Sequence, residues 1–168
     1  MKQLLLICAV VVLVVGCGEK KEDGNTEEED VANPEKLITD PIVEKAVREE
    51  LEKPQGELTE ADLEKVTYLE LIGTQFTDAG LKKVAKLQKL RTLGLANTKI
   101  TDAGLKEVAK LQELEHLNLT STKITDTGLK ELAKLQKLMY LYLDDTAITD
   151  DGAVELKKAL PNCKIYGP

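Results

Sequence analysis

Side chains suited to catalysis or metal binding are scarce in this sequence. It contains one histidine, His116, and three cysteines, at positions 8, 17 and 163. His116 has no serine or cysteine nucleophile beside it in any recognisable catalytic motif. A lone histidine without a cysteine cluster also lacks the ligand set of a zinc site.

The acidic pairs and the glycines suggest structural roles. Asp144-Asp145 and Asp150-Asp151 flank a turn, where helix capping and solvation explain them better than metal binding does. The glycines recur at regular intervals, and none belongs to a phosphate-binding loop. We therefore predict no enzymatic activity, no cofactor and no metal site.

The charge balance argues against nucleic acid as a partner. The net charge is −7, and no basic stripe is visible. The chain is 42% hydrophobic but only 3% aromatic, so the predicted core is aliphatic.

Cys17 follows a short apolar segment. Met1-Lys2 provides a basic start, and an uncharged apolar run extends from Leu4 to Val15. This run is shorter than the roughly 20 residues of a membrane-spanning helix. Basic start, apolar core, Gly16 and Cys17 together resemble a bacterial lipoprotein signal. An ordinary secretory signal, with Cys17 incidental, is the alternative.

The lipoprotein resemblance implies a location. Residues 1–16 would be removed, and Cys17 would carry palmitate-type acyl chains in a bacterial cell envelope. Gly18, in place of Asp, gives no retention signal for an inner membrane. The resemblance therefore implies the outer membrane or periplasm in a two-membrane host, and otherwise the cell surface. Residues 17–36 are acidic and poor in apolar side chains, which predicts a disordered tether rather than a cation site.

Residues 37–62 are predicted to form a helical N-terminal cap. Asp40 can cap a helix that has Pro41 at its first position. Thr59 and Asp62 have the spacing of a capping box.

From residue 63 to residue 168 the chain repeats every 24 residues. Four copies are followed by a C-terminal capping strand. The framework columns include Leu69, Leu93, Leu117 and Leu141, then Leu71, Leu95, Leu119 and Leu143, then Thr74, Thr98, Thr122 and Thr146, then Gly80, Gly104, Gly128 and Gly152. This pattern resembles bacterial leucine-rich repeats with an outer helix.

The resemblance implies an α/β leucine-rich repeat solenoid. A short, curved parallel sheet would form the concave side, with helices on the convex side. Inward leucines form the core, and the threonine column stabilises turns. The match of Leu160, Cys163 and Ile165 to the leucine pattern predicts Cys163 as a core residue of the fifth strand.

Outward strand positions are the ones that the repeat leaves free, so they are the candidates for function. They include all four tyrosines and the only histidine of the chain. Tyrosine is enriched at interfaces, although it also has a high strand propensity. The predicted binding face comprises Tyr68, Glu70, His116, Asn118, Tyr140, Tyr142, Asp144, Lys164 and Tyr166. The predicted rows place Asn162 beside Tyr140, Lys164 beside Tyr142 and Tyr166 beside Asp144.

Three functions are consistent with the sequence. The favoured one is a monomeric, membrane-anchored binding module whose concave face takes a protein or peptide partner. The second is a structural envelope lipoprotein without a specific ligand. The third is substrate recognition like that of F-box repeat proteins, against which the signal sequence argues.

Overall fold

The computed structural model describes residues 37–167. The predicted signal peptide, Cys17 and the acidic tether lie outside the described residues. The elements are α1 (Pro41–Glu50), α2 (Glu60–Leu63), β1 (Tyr68–Glu70), α3 (Asp78–Val84), β2 (Thr92–Gly94), α4 (Asp102–Val108), β3 (His116–Asn118), α5 (Asp126–Leu132), β4 (Tyr140–Tyr142), α6 (Asp150–Ala159) and β5 (Lys164–Tyr166).

Both predicted helix starts in the cap are confirmed. The carboxylate of Asp40 accepts hydrogen bonds from the backbone N–H groups of Ile42 and Val43, 2.9 and 3.1 Å away. Pro41 occupies the first position of α1, where its missing N–H costs nothing. At α2, Thr59 and Asp62 form a reciprocal capping box. Helix α1 packs against β1 and α3, which closes the N-terminal end of the repeat core.

The five strands form one parallel sheet in the order β1-β2-β3-β4-β5. Each strand pairs in register with the residues 24 positions further along the chain. The central residue of each strand points into the core, and one inward row comprises Leu69, Leu93, Leu117, Leu141 and Ile165. Helices α3 to α6 stack in sequence on this side of the sheet, and the predicted repeat architecture is confirmed.

The threonine column stabilises the turn after each strand, as predicted. Each hydroxyl donates to the backbone carbonyl three residues earlier; for Thr98 and Leu95 the distance is 2.6 Å. The same bond recurs at Thr74, Thr122 and Thr146. One residue before each threonine, the backbone has positive φ, at Gly73, Asn97, Ser121 and Asp145. Glycine, asparagine and aspartate tolerate this conformation at the lowest cost.

An aspartate–threonine ladder joins successive repeats on the helix side. Asp102, at the start of α4, accepts hydrogen bonds from the backbone N–H and the hydroxyl of Thr125, at 2.8 and 2.7 Å. The pairs Asp78–Thr101 and Asp126–Thr149 repeat this geometry. These bonds from Thr149 lower the pKa of Asp126, the backbone N–H contributing most. Thr101, Thr125 and Thr149 also cap helices α4, α5 and α6, so each ladder threonine has two roles.

The last strand corrects one prediction. Cys163 is fully buried, as expected, but it lies just before β5, and Ile165 takes the inward position beside Leu141. The predicted register was therefore wrong by two residues. Helix α6 has 10 residues where α5 has 7, and the connection that follows is shorter by the same amount. The 24-residue spacing thus holds while the local leucine pattern shifts.

Candidate binding face

The alternation of side chains along each short strand creates the concave face. In every strand the central residue is directed inward, so the first and third residues lie on the opposite side. We call these outward positions the concave face. They form a first row, Tyr68, Thr92, His116, Tyr140 and Lys164, and a second row, Glu70, Gly94, Asn118, Tyr142 and Tyr166.

In the first row, two rings and a cation are in contact. The rings of His116 and Tyr140 stack with centroids 4.8 Å apart and planes 15° from parallel. Lys164 Nζ lies 5.4 Å from the centroid of the Tyr140 ring, within cation–π range. His116 and Tyr140 are half-buried, so part of each ring remains accessible to a partner.

The second row contains the other stacked pair. The rings of Tyr142 and Tyr166 lie 4.8 Å apart and 9° from parallel. Beside them, the Asn118 side-chain oxygen accepts a hydrogen bond from the backbone N–H of Thr120 at 3.0 Å. This bond fixes the asparagine side chain at the edge of the aromatic region.

At the β1 edge the face is more acidic. The hydroxyl of Tyr68 donates a 2.6 Å hydrogen bond to Glu70 Oε2, and this bond is the main reason that the pKa of Tyr68 is raised. On β2, Thr92 and Gly94 contribute little bulk. A Cβ atom at Gly94 would lie 3.2 Å from atoms of Glu70 and Ile72, so these two side chains lean over the glycine.

The predicted rows are corrected by the register of β5. Lys164 lies beside Tyr140 rather than Tyr142, and Tyr166 lies beside Tyr142 rather than Asp144. Asp144 follows β4 instead of belonging to it, and it lies exposed in the turn at the end of the strands. The remaining predicted residues occupy outward strand positions. Counting 24 residues onward from Tyr140 and Tyr142 would have identified both contacts of β5.

The side chains of the concave face have the chemistry that binding surfaces use. Within residues 37–167, no group of three or more His, Cys, Asp or Glu side chains could hold a metal ion. In the same range no helix has the length and apolar character needed to cross a bilayer. The face offers aromatic edges, hydroxyls, an amide and opposite charges at its two ends. Such groups are able to form hydrogen bonds, ion pairs and stacking contacts.

Comparison with known proteins agrees with this architecture. The family described as leucine rich repeat matches residues 88–148. Internalin C2 from Listeria monocytogenes has a similar structure, with a TM-score of 0.55 and 29% identity over 77% of this chain. The fold is a leucine-rich repeat solenoid. This solenoid covers 64% of the internalin C2 chain, less than two thirds of its length.

A second solved structure shares the fold alone. Actin-binding site 2 of leiomodin-1 is 18% identical, with a TM-score of 0.54, and the alignment covers 76% of this chain and 77% of that one. A comparison with curated proteins gives no match. The solenoid thus has the fold of a protein-interaction module.

Proposed function

We propose that this leucine-rich repeat protein is a membrane-anchored binding module that holds a protein or peptide on its concave face. One observation carries the proposal. All four tyrosines and the only histidine of the chain occupy outward strand positions, although the repeat framework requires neither residue type. Four of these five rings are already stacked in pairs, so binding them costs little side-chain entropy.

The area of the face limits the partner. Five strands at a spacing of about 4.8 Å span about 20 Å, and each contributes about 10 Å of length. The product is about 200 Å², well below the roughly 800 Å² per partner of a standard protein interface. A peptide segment or a short loop fits this area. A larger partner would also contact the turns that follow the strands, where Asp144 is exposed.

Substitution of the paired tyrosines tests the face. Tyr140→Ala with Tyr142→Ala removes one member of each stacked pair, while the matched control, Lys106→Ala with Lys130→Ala, changes exposed residues of α4 and α5. A partner is first captured by crosslinking in the native envelope, and its affinity is then measured with purified components. We expect the tyrosine variant to lose at least tenfold in affinity, about 1.4 kcal/mol, and the control to be unchanged. Equal affinities would contradict the proposed face.

The membrane anchor is the second part of the proposal. Its support is the signal-like segment that ends at Cys17. Intact mass of detergent-extracted protein should show an N-terminus at Cys17 with added acyl mass, and light scattering should show a monomer. Cys17→Ser should abolish the added mass, whereas Cys8→Ser should leave it unchanged. An unmodified chain cleaved elsewhere would rule out the anchor and leave the binding proposal standing.

A further inference from the structure

The first row of the concave face is interrupted at β2. From β1 to β5 it reads Tyr68, Thr92, His116, Tyr140 and Lys164, so a small side chain separates Tyr68 from the His116–Tyr140 stack. Because the rings of His116 and Tyr140 are nearly parallel, the second face of the His116 ring is turned toward β2. Thr92 carries no ring to cover it. We call this place above Thr92 the ring gap.

The dimensions of the ring gap suit one planar group. Strands β1 and β3 are separated by two strand spacings, about 10 Å in total. A planar group above Thr92 would therefore lie about 5 Å from each neighbouring position, within the range of about 4.5–7 Å at which ring centroids stack. The His116–Tyr140 pair, at 4.8 Å, already shows this spacing on the adjacent strands.

A carboxylate lies beside the ring gap, and the cation that directly precedes Thr92, Arg91, is paired with Glu115. Glu70, an exposed residue of β1, lies next to Tyr68 in the second row. Its Oε2 accepts the hydrogen bond from Tyr68, whereas Oε1 has no hydrogen-bond partner within residues 37–167. Neither Lys nor Arg forms a salt bridge with this carboxylate in the described part of the chain, and Lys164 lies at the opposite end of the face. Gly94 adds no side chain that would screen Glu70 from β2.

We propose that the ring gap binds the guanidinium group of an arginine in the peptide partner. The guanidinium is planar and cationic, so it can stack on the open face of His116 and pair with Glu70 at the same time. A lysine ammonium has the charge but not the plane, and a phenylalanine ring has the plane but not the charge. This inference rests on the proposed function and specifies the chemistry of its ligand.

The experiment uses blocked tripeptides Gly-Arg-Gly, Gly-Lys-Gly and Gly-citrulline-Gly as probes of the full chain. Binding is followed by NMR shifts of the His116 ring and the Thr92 methyl group. We expect Gly-Arg-Gly to shift both signals, and the lysine and citrulline peptides to bind at least fivefold more weakly. Glu70→Gln should weaken arginine binding about tenfold because a charge-assisted contact is lost. The matched control is Glu115→Gln. Glu115 directly precedes β3, and its carboxylate is already paired with Arg91.

Filling the ring gap gives the decisive variant. Thr92→Tyr supplies a ring from the chain itself and should exclude the arginine peptide, whereas Thr92→Ala leaves the gap open and should still bind. Circular dichroism melting confirms that both variants are folded. Equal binding of the arginine and lysine peptides, or full binding by Thr92→Tyr, would overturn the inference. If Thr92→Tyr retains the native partner while Tyr140→Ala with Tyr142→Ala loses it, the arginine site is wrong and the proposed function stands.

Discussion

Replacing Gly128 with alanine tests whether the aspartate–threonine ladder couples neighbouring repeats. A Cβ atom at this position would lie 2.4 Å from Asp102 Oδ1 and 2.9 Å from Leu105 Cδ1. The leucine methyl belongs to a flexible side chain and can move away. The carboxylate oxygen is held by the backbone N–H of Thr125 at 2.8 Å, so it can yield only by giving up that bond. Gly128→Ala should therefore break the ladder between α4 and α5.

The cost follows from the bonds that are displaced. Hydrogen bonds to a charged group contribute about 1.5–3 kcal/mol each, and the lower value applies here because Asp102 is half-exposed. Losing both bonds to Thr125 then costs about 3 kcal/mol. Alanine recovers about 1 kcal/mol through its higher helix propensity. We expect a net loss of about 2 kcal/mol, which corresponds to a fall in Tm of about 6–10 °C for a domain of this size.

The assay is urea unfolding followed by circular dichroism, combined with a double-mutant cycle. In an Asp102→Ala background the carboxylate is absent, so Gly128→Ala should become neutral or stabilising. Thr127→Ala, one residue earlier and exposed, is the matched control and should change stability by no more than about 0.5 kcal/mol. A Gly128→Ala variant as stable as the parent would refute the reasoning. So would a cost that persists without Asp102.

Three other predictions concern the core, the ladder in acid and the buried thiol. Leu117→Ala, in the centre of the inward row, should cost about 2–5 kcal/mol in urea unfolding. Because hydrogen bonds from Thr149 lower the pKa of folded Asp126, its stabilising effect is present above the unfolded pKa and is lost as pH falls through the folded value. Stability should thus fall more steeply below about pH 4 in the parent than in Asp126→Asn. Cys163, whose pKa is raised by burial, should react with a thiol reagent only as the chain unfolds.

Each of these measurements has its own control. Lys123→Ala, at an exposed site, should leave urea unfolding unchanged, and a similar result for Leu117→Ala would contradict the inward row. Identical acid profiles for the parent and Asp126→Asn would show that the ladder bond adds no stability. The thiol measurement requires Cys8→Ser and Cys17→Ser, so that one thiol remains. Fast labelling of that thiol under native conditions would contradict its burial.

Most of the fold could be predicted because all four repeats must bury the central side chain of a short strand in a shared core. A three-residue strand cannot bury its central leucine alone, so leucine returns at each multiple of 24 and builds a shared core. The two helix starts of the cap could also be predicted. Asp40-Pro41 and the Thr59–Asp62 pair form their capping hydrogen bonds with residues close by in the sequence. The aspartate–threonine ladder was missed because its bonds join residues 23 positions apart. A capping motif involves residues that are close in sequence, so it does not indicate hydrogen bonds between repeats.

The register of β5 could not be read from the leucine pattern, because that pattern records burial and not strand pairing. Leu160 and Cys163 are both buried, as the motif requires, yet neither lies in the strand. Helix α6 extends to Ala159, so Leu160 and Cys163 lie in the connection, and the strand begins only at Lys164. At this end the leucine motif aligns Cys163 with Leu141, whereas the 24-residue period aligns Ile165 with Leu141. Backbone pairing with β4 followed the period: Tyr140 lies opposite Lys164, and Leu141 lies opposite Ile165.

The register of β5 determines which side chains are neighbours on the concave face. Had the leucine motif set the register, Lys164 would lie beside Tyr142, and Tyr166 would lie beside Asp144. The observed pairing instead places the cation against Tyr140 and stacks the last two tyrosines. Four of the five outward rings are thus gathered on β3, β4 and β5, whereas Glu70 lies beside Tyr68 on β1, across the small residues of β2. If the proposed arginine site is correct, a peptide should bind in one orientation, with its arginine toward β1.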